Sequence, residues 1–186
     1  MVARWDTLGL LAAPGQPGSH QCFDPVLETI SSTFNSCELD KFDERKSGTQ
    51  QIRDVVEPRF AADEWSTKVL VTQDFPGGVL QANYEVDFQL QFFAEGCSLR
   101  HQVSLELAFD NRQAIGANLL KMDLANTYFV ESTGGLSISV IVVATASGRD
   151  LGHWDGAVGI DLDYSWALRN AYSRYFKTPI VLLTVS

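Results

Sequence analysis

Two acidic residues lie on neighbouring predicted strands, in positions where their carboxylates would face each other. Asp87 belongs to the alternating stretch NYEVDFQLQFF at 83–93, and Glu106 belongs to LRHQVSLELAF at 99–109. If the connecting AEGCS turns near Gly96, the two acids are almost directly opposite, and opposite residues of an antiparallel pair share a face. Two carboxylates held in this way repel each other, and a shared divalent cation relieves the repulsion.

Mg²⁺ is the cation that such a pair predicts. It prefers oxygen ligands, often takes one or two carboxylates from a protein, and leaves its other positions to water and phosphate oxygens. A bound Mg²⁺ activates water and neutralises charge that builds on a phosphate. The alternative interpretation is that Asp87 and Glu106 are solvent-facing members of half-exposed strands, and the pattern alone leaves both interpretations open.

The elements around this pair predict an α/β fold. Helical patterns occupy 23–36, the segment 41–65 with a break expected at Pro58, 111–125 and 161–176, while strand patterns occupy 67–75, 83–93, 99–109, 136–146 and 178–186. Asp24 before Pro25 is typical of a helix N-cap with proline in the first turn. The order of helices, strand meander, helix, strand, helix and strand favours a mixed β-sheet between helices.

Chain length and cysteine content add expectations about organisation. The 186 residues suit one domain, 1–186, in which 1–19 is a loose N-terminal arm. No run of 18 apolar residues exists, which predicts no membrane span, and Asp6 argues against a signal peptide. The three cysteines Cys22, Cys37 and Cys97 are odd in number and form no C-x-x-C, so we expect reduced thiols in a cytoplasmic protein.

The balance of charge limits the partners. Lys and Arg number 14 against 23 Asp and Glu, a formal net charge of −9. This argues against a generic nucleic-acid coat, which would be basic, but it permits an enzyme that gathers a few basic side chains in one cleft. It is also consistent with an acidic α/β protein-interaction domain, which is the alternative from a different class.

The strand motif carries a resemblance to a known family. Asp87, a hairpin and then SLELAF at 104–109 resemble the PD-(D/E)xK nuclease core, in which an Asp is followed by Glu-x-Lys, Glu-x-Gln or Glu-x-Glu. Over 83–186 the order of elements is similar to type II restriction endonucleases of the BglII and BstYI (BamHI-like) type. The resemblance implies a restriction-endonuclease-like mixed β-sheet flanked by helices. It also implies a homodimer that cleaves specific double-stranded DNA with Mg²⁺, and Asp87 and Glu106 as the metal-binding catalytic acids.

One position departs from the family. Where the family has Lys, Gln or Glu, this chain has Ala108, whose methyl group places neither water nor metal. The resemblance therefore implies an inactivated nuclease, a nuclease in which another residue supplies the group, or a catalytically silent DNA-binding module of the same fold. We expect Lys121 to face away from the strand end by its helical spacing. Glu95 is a fallback first acid, and Glu57 is a candidate supporting acid.

Two segments are candidates for reading DNA. Asn111, Arg112 and Gln113 stand at a predicted helix start, where phosphate is attracted and where such side chains read purine edges, although Asn111 also suits a plain N-cap. The glycine-bearing loop SGRDLGHWDGAVG falls where the family has its main recognition loop. Its polar residues Arg149, Asp150, His153 and Asp155 are the candidates there, and Lys46, Arg53 and Arg100 are candidates for phosphate contacts.

Overall fold

The computed structural model describes residues 2–5, 21–37, 48–71, 84–109, 114–145, 160–167, 170 and 176–185. Within them lie strands β1 (Ala3–Trp5), β2 (Ser66–Leu70), β3 (Glu85–Phe93), β4 (Arg100–Leu107), β5 (Leu136–Ala144) and β6 (Ile180–Val185), and helices α1 (Asp24–Asn35), α2 (Gly48–Ala62), α3 (Ile115–Thr133) and α4 (Ile160–Ala167). No helix in these segments is both long and apolar enough to cross a membrane.

The strands form one mixed sheet in the order β1-β6-β5-β4-β3-β2. The strands β4, β5 and β6 are parallel, whereas β2-β3-β4 is an antiparallel meander and β1 adds antiparallel to β6. The continuously apolar β5 lies inside the sheet and is buried along nearly its whole length, as its pattern predicts. The predicted α/β fold, a mixed sheet flanked by helices, is confirmed.

Aromatic side chains pack α2 against the β3 side of the sheet. The ring of Phe60 lies 4.9 Å from that of Phe88 and 5.0 Å from that of Trp65, measured between centroids. Ile52, Val56 and Phe60 are all fully buried, so one side of α2 is held by the core. This packing explains why α2 runs without interruption through Pro58, where the sequence predicted a break. Burial on one side compensates for the single backbone hydrogen bond that the proline removes.

A buried polar network fastens α3 to the sheet. Asn126 accepts hydrogen bonds from Gln102 Nε2 at 3.1 Å and Ser104 Oγ at 2.9 Å, and its own Nδ2 donates to Ser139 Oγ at 2.6 Å. The network joins α3, β4 and β5, and its members are almost fully buried. Because buried polar groups need particular partners, this network fixes how α3 is rotated on the sheet.

Several expectations about the N-terminal part are corrected. The arm is not loose throughout, since Ala3–Trp5 pairs with β6 and the Ala3 N–H donates to Asn35 Oδ1 at 2.7 Å. The N-cap of α1 is Phe23 rather than Asp24, although Pro25 does lie in the first turn.

The prediction of three reduced thiols is also wrong. Cys22 and Cys97 form a disulfide across a sequence separation of 75, and Cys37 is a buried thiol outside it. Docking of α1 beside the β3–β4 hairpin brings the two sulfurs together, which spacing along the chain does not show. Because disulfides are rare in reducing compartments, the cysteines no longer support a cytoplasmic location.

Candidate active site

The register of the β3–β4 hairpin places the two predicted acids across from each other. Phe88 pairs with Leu105, so the next pair outward is Asp87 and Glu106. Each carboxylate also reaches the backbone of the opposite strand. Asp87 Oδ2 accepts the Leu107 N–H at 2.8 Å, and Glu106 Oε2 accepts the Asp87 N–H at 3.4 Å. The predicted adjacency is therefore present, at the end of the hairpin away from its turn.

Asp87 is neutralised from α2. The guanidinium of Arg53 donates to Asp87 Oδ1, and the two side chains are 22% and 11% exposed. Burial raises the pKa of Asp87, while the positive charge of Arg53 and the hydrogen bond from Leu107 act in the opposite direction. The net effect is a carboxyl group that ionises less readily than usual even with Arg53 in contact.

Glu106 is neutralised from α3. Lys121 Nζ lies 2.5 Å from Glu106 Oε1, so the expectation that Lys121 faces away from the strand end is wrong. Burial and then the charge of Asp87 raise the pKa of Glu106 to about 7, against the opposing effect of Lys121. Two acids and two bases thus form one compact group, in which burial disfavours the charged form of Glu106 near neutral pH.

Helix α4 closes one side of this group. Tyr164 is fully buried, and its hydroxyl accepts a hydrogen bond from Asn118 Nδ2 at 2.9 Å. Burial raises the pKa of Tyr164, the bond from Asn118 opposes this, and the charge of Glu106 adds to the rise. Asn118 lies one helical turn before Lys121, so both reach the site from one side of α3. The sequence analysis missed Asn118 and Tyr164, and only the three-residue spacing of Asn118 and Lys121 was a signal for them.

The comparisons with known proteins agree with this geometry at the level of the fold. No protein-family model and no curated protein sequence matches the chain. Among solved structures, the chain is similar to restriction endonuclease BglII complexed with a DNA 16-mer, with a TM-score of 0.51 and 14% sequence identity over 86% of this chain and 68% of that one. The chain has a restriction-endonuclease-like fold. At this identity the likeness concerns architecture, and it leaves the chemistry to be argued from the residues.

The alanine that stands where the motif resemblance implies a third catalytic residue is packed in the core. Ala108 follows β4 directly, is 5% exposed and belongs to the apolar core, and its N–H donates to Val142 O at 2.9 Å. An ammonium group nevertheless reaches Glu106, because Lys121 supplies it from α3.

The other candidate residues divide into three groups. Glu95 stands in the hairpin turn, beyond the pair Phe93 and Arg100, so it lies at the opposite end of β3 from Asp87 and is wrong as a fallback acid. Glu57 is half-buried on α2, one turn after Arg53, and its role stays a prediction. The DNA-reading candidates and one phosphate candidate lie outside the described residues: Lys46, Asn111, Arg112, Gln113, Arg149, Asp150, His153 and Asp155.

The donor set of the acid pair fits Mg²⁺. The pair offers hard carboxylate oxygens from two strands, and each carboxylate has about four lone-pair sites, more than its present hydrogen bonds use. Burial and then the charge of Asp87 raise the pKa of Glu106 despite its contact with Lys121, so the charged form of this carboxyl is disfavoured without a further cation. Within the described segments, no third acid, histidine or cysteine clusters with the pair, so water and phosphate oxygens would have to complete the coordination.

Proposed function

We propose that the chain is a Mg²⁺-dependent, sequence-specific endonuclease of double-stranded DNA, of the type II restriction class, acting as a homodimer. The observation that carries this proposal is the facing pair Asp87 and Glu106 with Lys121 in contact, at the strand ends of a restriction-endonuclease-like fold. Hydrolysis of a phosphodiester needs charge neutralisation and a placed water, and this group of residues offers both.

Asp87 and Glu106 would hold the metal. Mg²⁺ bound there would supply charge neutralisation at the phosphate and a more acidic water. The two carboxylates fix the position of the ion relative to the strand ends, and the Asp87 contact with the Leu107 N–H stiffens that position. Neither acid is replaceable by its amide, because an amide carries no negative charge for the cation.

Lys121 takes the part that the family motif gives to residue 108. Its ammonium group has three N–H donors and already contacts Glu106, so it has donors left to orient an attacking water or a phosphate oxygen. The presence of Ala108 therefore does not require an inactive protein, because the group comes from a helix instead of the strand. The contact of Lys121 with Glu106 supports the second of the three explanations, in which another residue supplies the group.

Arg53 supports the phosphate. If Asp87 bound a cation, its carboxylate would attract the guanidinium of Arg53 less strongly. A guanidinium presents a planar fork of donors that matches phosphate oxygens, and Arg53 is close enough to the acid pair to act on the same group. The phosphate contact predicted for Arg53 thus takes place at the scissile site instead of at a distant surface.

Recognition of the DNA sequence would come from residues outside this group. Asn111, Arg112 and Gln113, together with Arg149, Asp150, His153 and Asp155, are the proposed base-reading residues. A homodimer on a palindromic site presents one active site to each strand, which is why a dimer suits double-strand cleavage.

A catalytically silent DNA-binding module is the second candidate. It is favoured by one observation: Arg53 and Lys121 already pair with Asp87 and Glu106, so the four side chains are formally neutral without a metal. In that case the acids would serve as structural ion pairs, and the fold would bind DNA without cutting it.

Cleavage of a randomised duplex library separates the candidates. The chain is incubated with the library and Mg²⁺, and the new DNA ends are sequenced, with Asp87→Asn as the test variant. Glu131→Gln is the matched control, because Glu131 is exposed and pairs with exposed Lys177. The endonuclease proposal expects ends at one short palindrome for the unaltered chain and the control, and none for Asp87→Asn. A silent module would shift selected duplexes in a gel without producing ends, and a chain that neither shifts nor cuts DNA would refute both candidates.

A further inference from the structure

A second cluster of possible ligands lies at the other end of the β3–β4 hairpin. The sulfurs of Cys22 and Cys97 and a ring nitrogen of His101 all lie within 4.8 Å of one another. His101 is the second residue of β4, five residues before Glu106. This places it roughly 16 Å along the strand from the acid pair. The cluster is therefore separate from the candidate active site.

We propose that, when the disulfide is reduced, Cys22, Cys97 and His101 bind one Zn²⁺ ion or a divalent metal of similar softness. Thiolates and imidazole are the ligands that Zn²⁺ takes in proteins, at about 2.3 Å from sulfur and about 2.0 Å from nitrogen. Ligands of a tetrahedral zinc stand about 3.8 Å apart or less, and the three atoms already lie within 4.8 Å of one another. Breaking the disulfide and moving the two sulfurs apart from bonding distance to about 3.8 Å would complete the site.

The local structure holds the three ligands in place. Cys97 follows Gly96, whose φ of +75° makes the hairpin turn, and the Cys97 N–H donates to Ala94 O at 3.0 Å. The buried imidazole of His101 is stacked on Phe92 at 5.3 Å and meets the edge of Phe23 at 5.0 Å, between ring centroids. Three residues separate Cys97 from His101, which is within the roughly two to five residues that separate neighbouring ligands in zinc sites.

The fourth coordination position of the proposed metal ion would be open to solvent. Both cysteines are partly exposed while His101 is buried, so an ion would enter from the cysteine side. In the sequence, His20 precedes Cys22 by two positions, and it lies outside the described residues. Water is sufficient to complete a site with three protein ligands.

The disulfide and the metal are alternative states of the same cysteines. A dithiol or phosphine reductant supplies two electrons, the bond between the sulfurs breaks, and each sulfur takes a proton from solvent. Metal binding then releases those two protons as the thiolates coordinate. Both states join the start of α1 to the β3–β4 hairpin, so the connection is kept in oxidising and reducing surroundings alike.

Cobalt substitution tests the proposal directly. The full-length chain is reduced with a phosphine, freed of metal with a chelator, and titrated with Co²⁺, whose bonds to thiolates give a strong charge-transfer absorption. We expect one Co²⁺ per chain with this absorption, its displacement by Zn²⁺, and no such absorption in the oxidised chain. Reduced protein without a thiolate band, or oxidised protein with one, would overturn the proposal without the use of any variant.

Variants assign the ligands. Cys22→Ser and His101→Phe, the latter chosen because phenylalanine keeps the ring stacking, should each weaken Co²⁺ binding by more than roughly 100-fold, since loss of even outer-shell partners costs 10–100-fold. Cys37→Ala is the matched control, because Cys37 is a buried thiol outside the disulfide and donates to Thr33 O. It should leave the spectrum unchanged. Equal Co²⁺ affinity in the control and in Cys22→Ser or His101→Phe would contradict the ligand set. None of these readouts depends on DNA cleavage.

Discussion

Lys121 of α3 and Glu106 of β4 form an ion pair with 2.5 Å between Nζ and Oε1, and their side chains are only 14% and 8% exposed. The chain also contains a pair that differs in burial, Lys177 and Glu131, at 3.0 Å with 66% and 65% exposure. Exposed ion pairs contribute little to stability. A buried ion pair costs desolvation free energy, and a functional role explains why such a pair is present. The two pairs therefore provide matched variants for testing what Lys121 does.

Lys121→Met should nearly abolish DNA cleavage. Methionine keeps the length of the side chain and removes the ammonium group, and the loss of one positioning or proton-handling group costs roughly 10²–10⁴ in rate. Single-turnover rates on a cleaved duplex measure this, and gel shifts with Ca²⁺ in place of Mg²⁺ should show binding within a few-fold of the unaltered chain. Lys177→Met should cleave at the unaltered rate. Equal cleavage by Lys121→Met would exclude Lys121 from the reaction.

Mg²⁺ binding should strengthen as the pH rises through about 7. The pKa of Glu106 is raised to about 7 by burial and by Asp87, so protons compete with the metal below that pH. Because the pKa of Glu106 is higher in the folded state than in the unfolded chain, the folded state binds more protons between the two values. Without metal, the free energy of unfolding therefore declines as pH rises from the ordinary glutamate range to about 7.

Thermal unfolding with and without Mg²⁺, between about pH 5.5 and 8.5, measures this dependence. The Mg²⁺-induced rise in Tm should be small at the acidic end and large at the alkaline end. Below pH 7, the apparent affinity for Mg²⁺ should increase by about tenfold per pH unit. Glu106→Gln should remove the dependence. A Mg²⁺ effect on Tm that is the same at both ends would show that Glu106 is not a ligand.

Arg53→Gln should tighten Mg²⁺ binding while lowering the stability of the metal-free protein. Arg53 neutralises Asp87 in the absence of metal, so its removal increases the repulsion between the two acids and takes away a competing cation. We expect Mg²⁺ affinity to increase by roughly tenfold. Arg53 and Mg²⁺ compete for Asp87, and coupling between two binding events is usually of this size. Calorimetric titration measures it, with Lys177→Gln as the charge-matched control. Weaker Mg²⁺ binding in Arg53→Gln than in the control would show that Arg53 assists metal binding.

Ala108→Lys should destabilise the protein without raising the cleavage rate. Ala108 is packed in the apolar core, where added atoms cost about 1–3 kcal/mol, and Lys121 already brings an ammonium group to Glu106. Urea unfolding and cleavage assays measure the two effects, and Ala117→Lys on the exposed face of α3 is the control. A large gain in cleavage with unchanged stability would instead support the missing-partner interpretation that the motif suggests.

The sequence was sufficient to predict the two strands that carry the acids and their pairing. Asp87 and Glu106 sit in alternating stretches joined by a turn at Gly96, and register in a hairpin follows from the turn and the alternation, so their opposition could be predicted. The fold class followed from the order of elements. These features depend on residues that are near each other in the chain.

The bases that complete the site could not be predicted, because their positions depend on how helices rotate against the sheet. The sheet-facing side of α3 carries Asn118, Lys121 and Asn126, whereas Leu120 is 49% exposed. Leu119, Met122 and Phe129 are buried on this side, so hydrophobic periodicity finds it, but it does not show which polar side chains reach the sheet there. The buried hydrogen bonds of Asn126 decide the rotation, and they depend on partners in β4 and β5. The Cys22–Cys97 disulfide was missed for the same reason, since α1 and the hairpin meet only in the folded chain.

The most direct test is the rate at which the unaltered chain and Asp87→Asn cleave the same duplex with Mg²⁺ under single-turnover conditions. Asparagine has nearly the shape of aspartate and lacks its charge, so folding is preserved while the negative charge that holds the cation is lost. Cleavage should fall by at least roughly 10³-fold, with Glu131→Gln unchanged, because electrostatic stabilisation at the phosphate is the largest contribution expected of such a site. Cleavage by Asp87→Asn at the unaltered rate, or none by the unaltered chain on any duplex that it binds, would contradict the assignment of an endonuclease centred on Asp87 and Glu106.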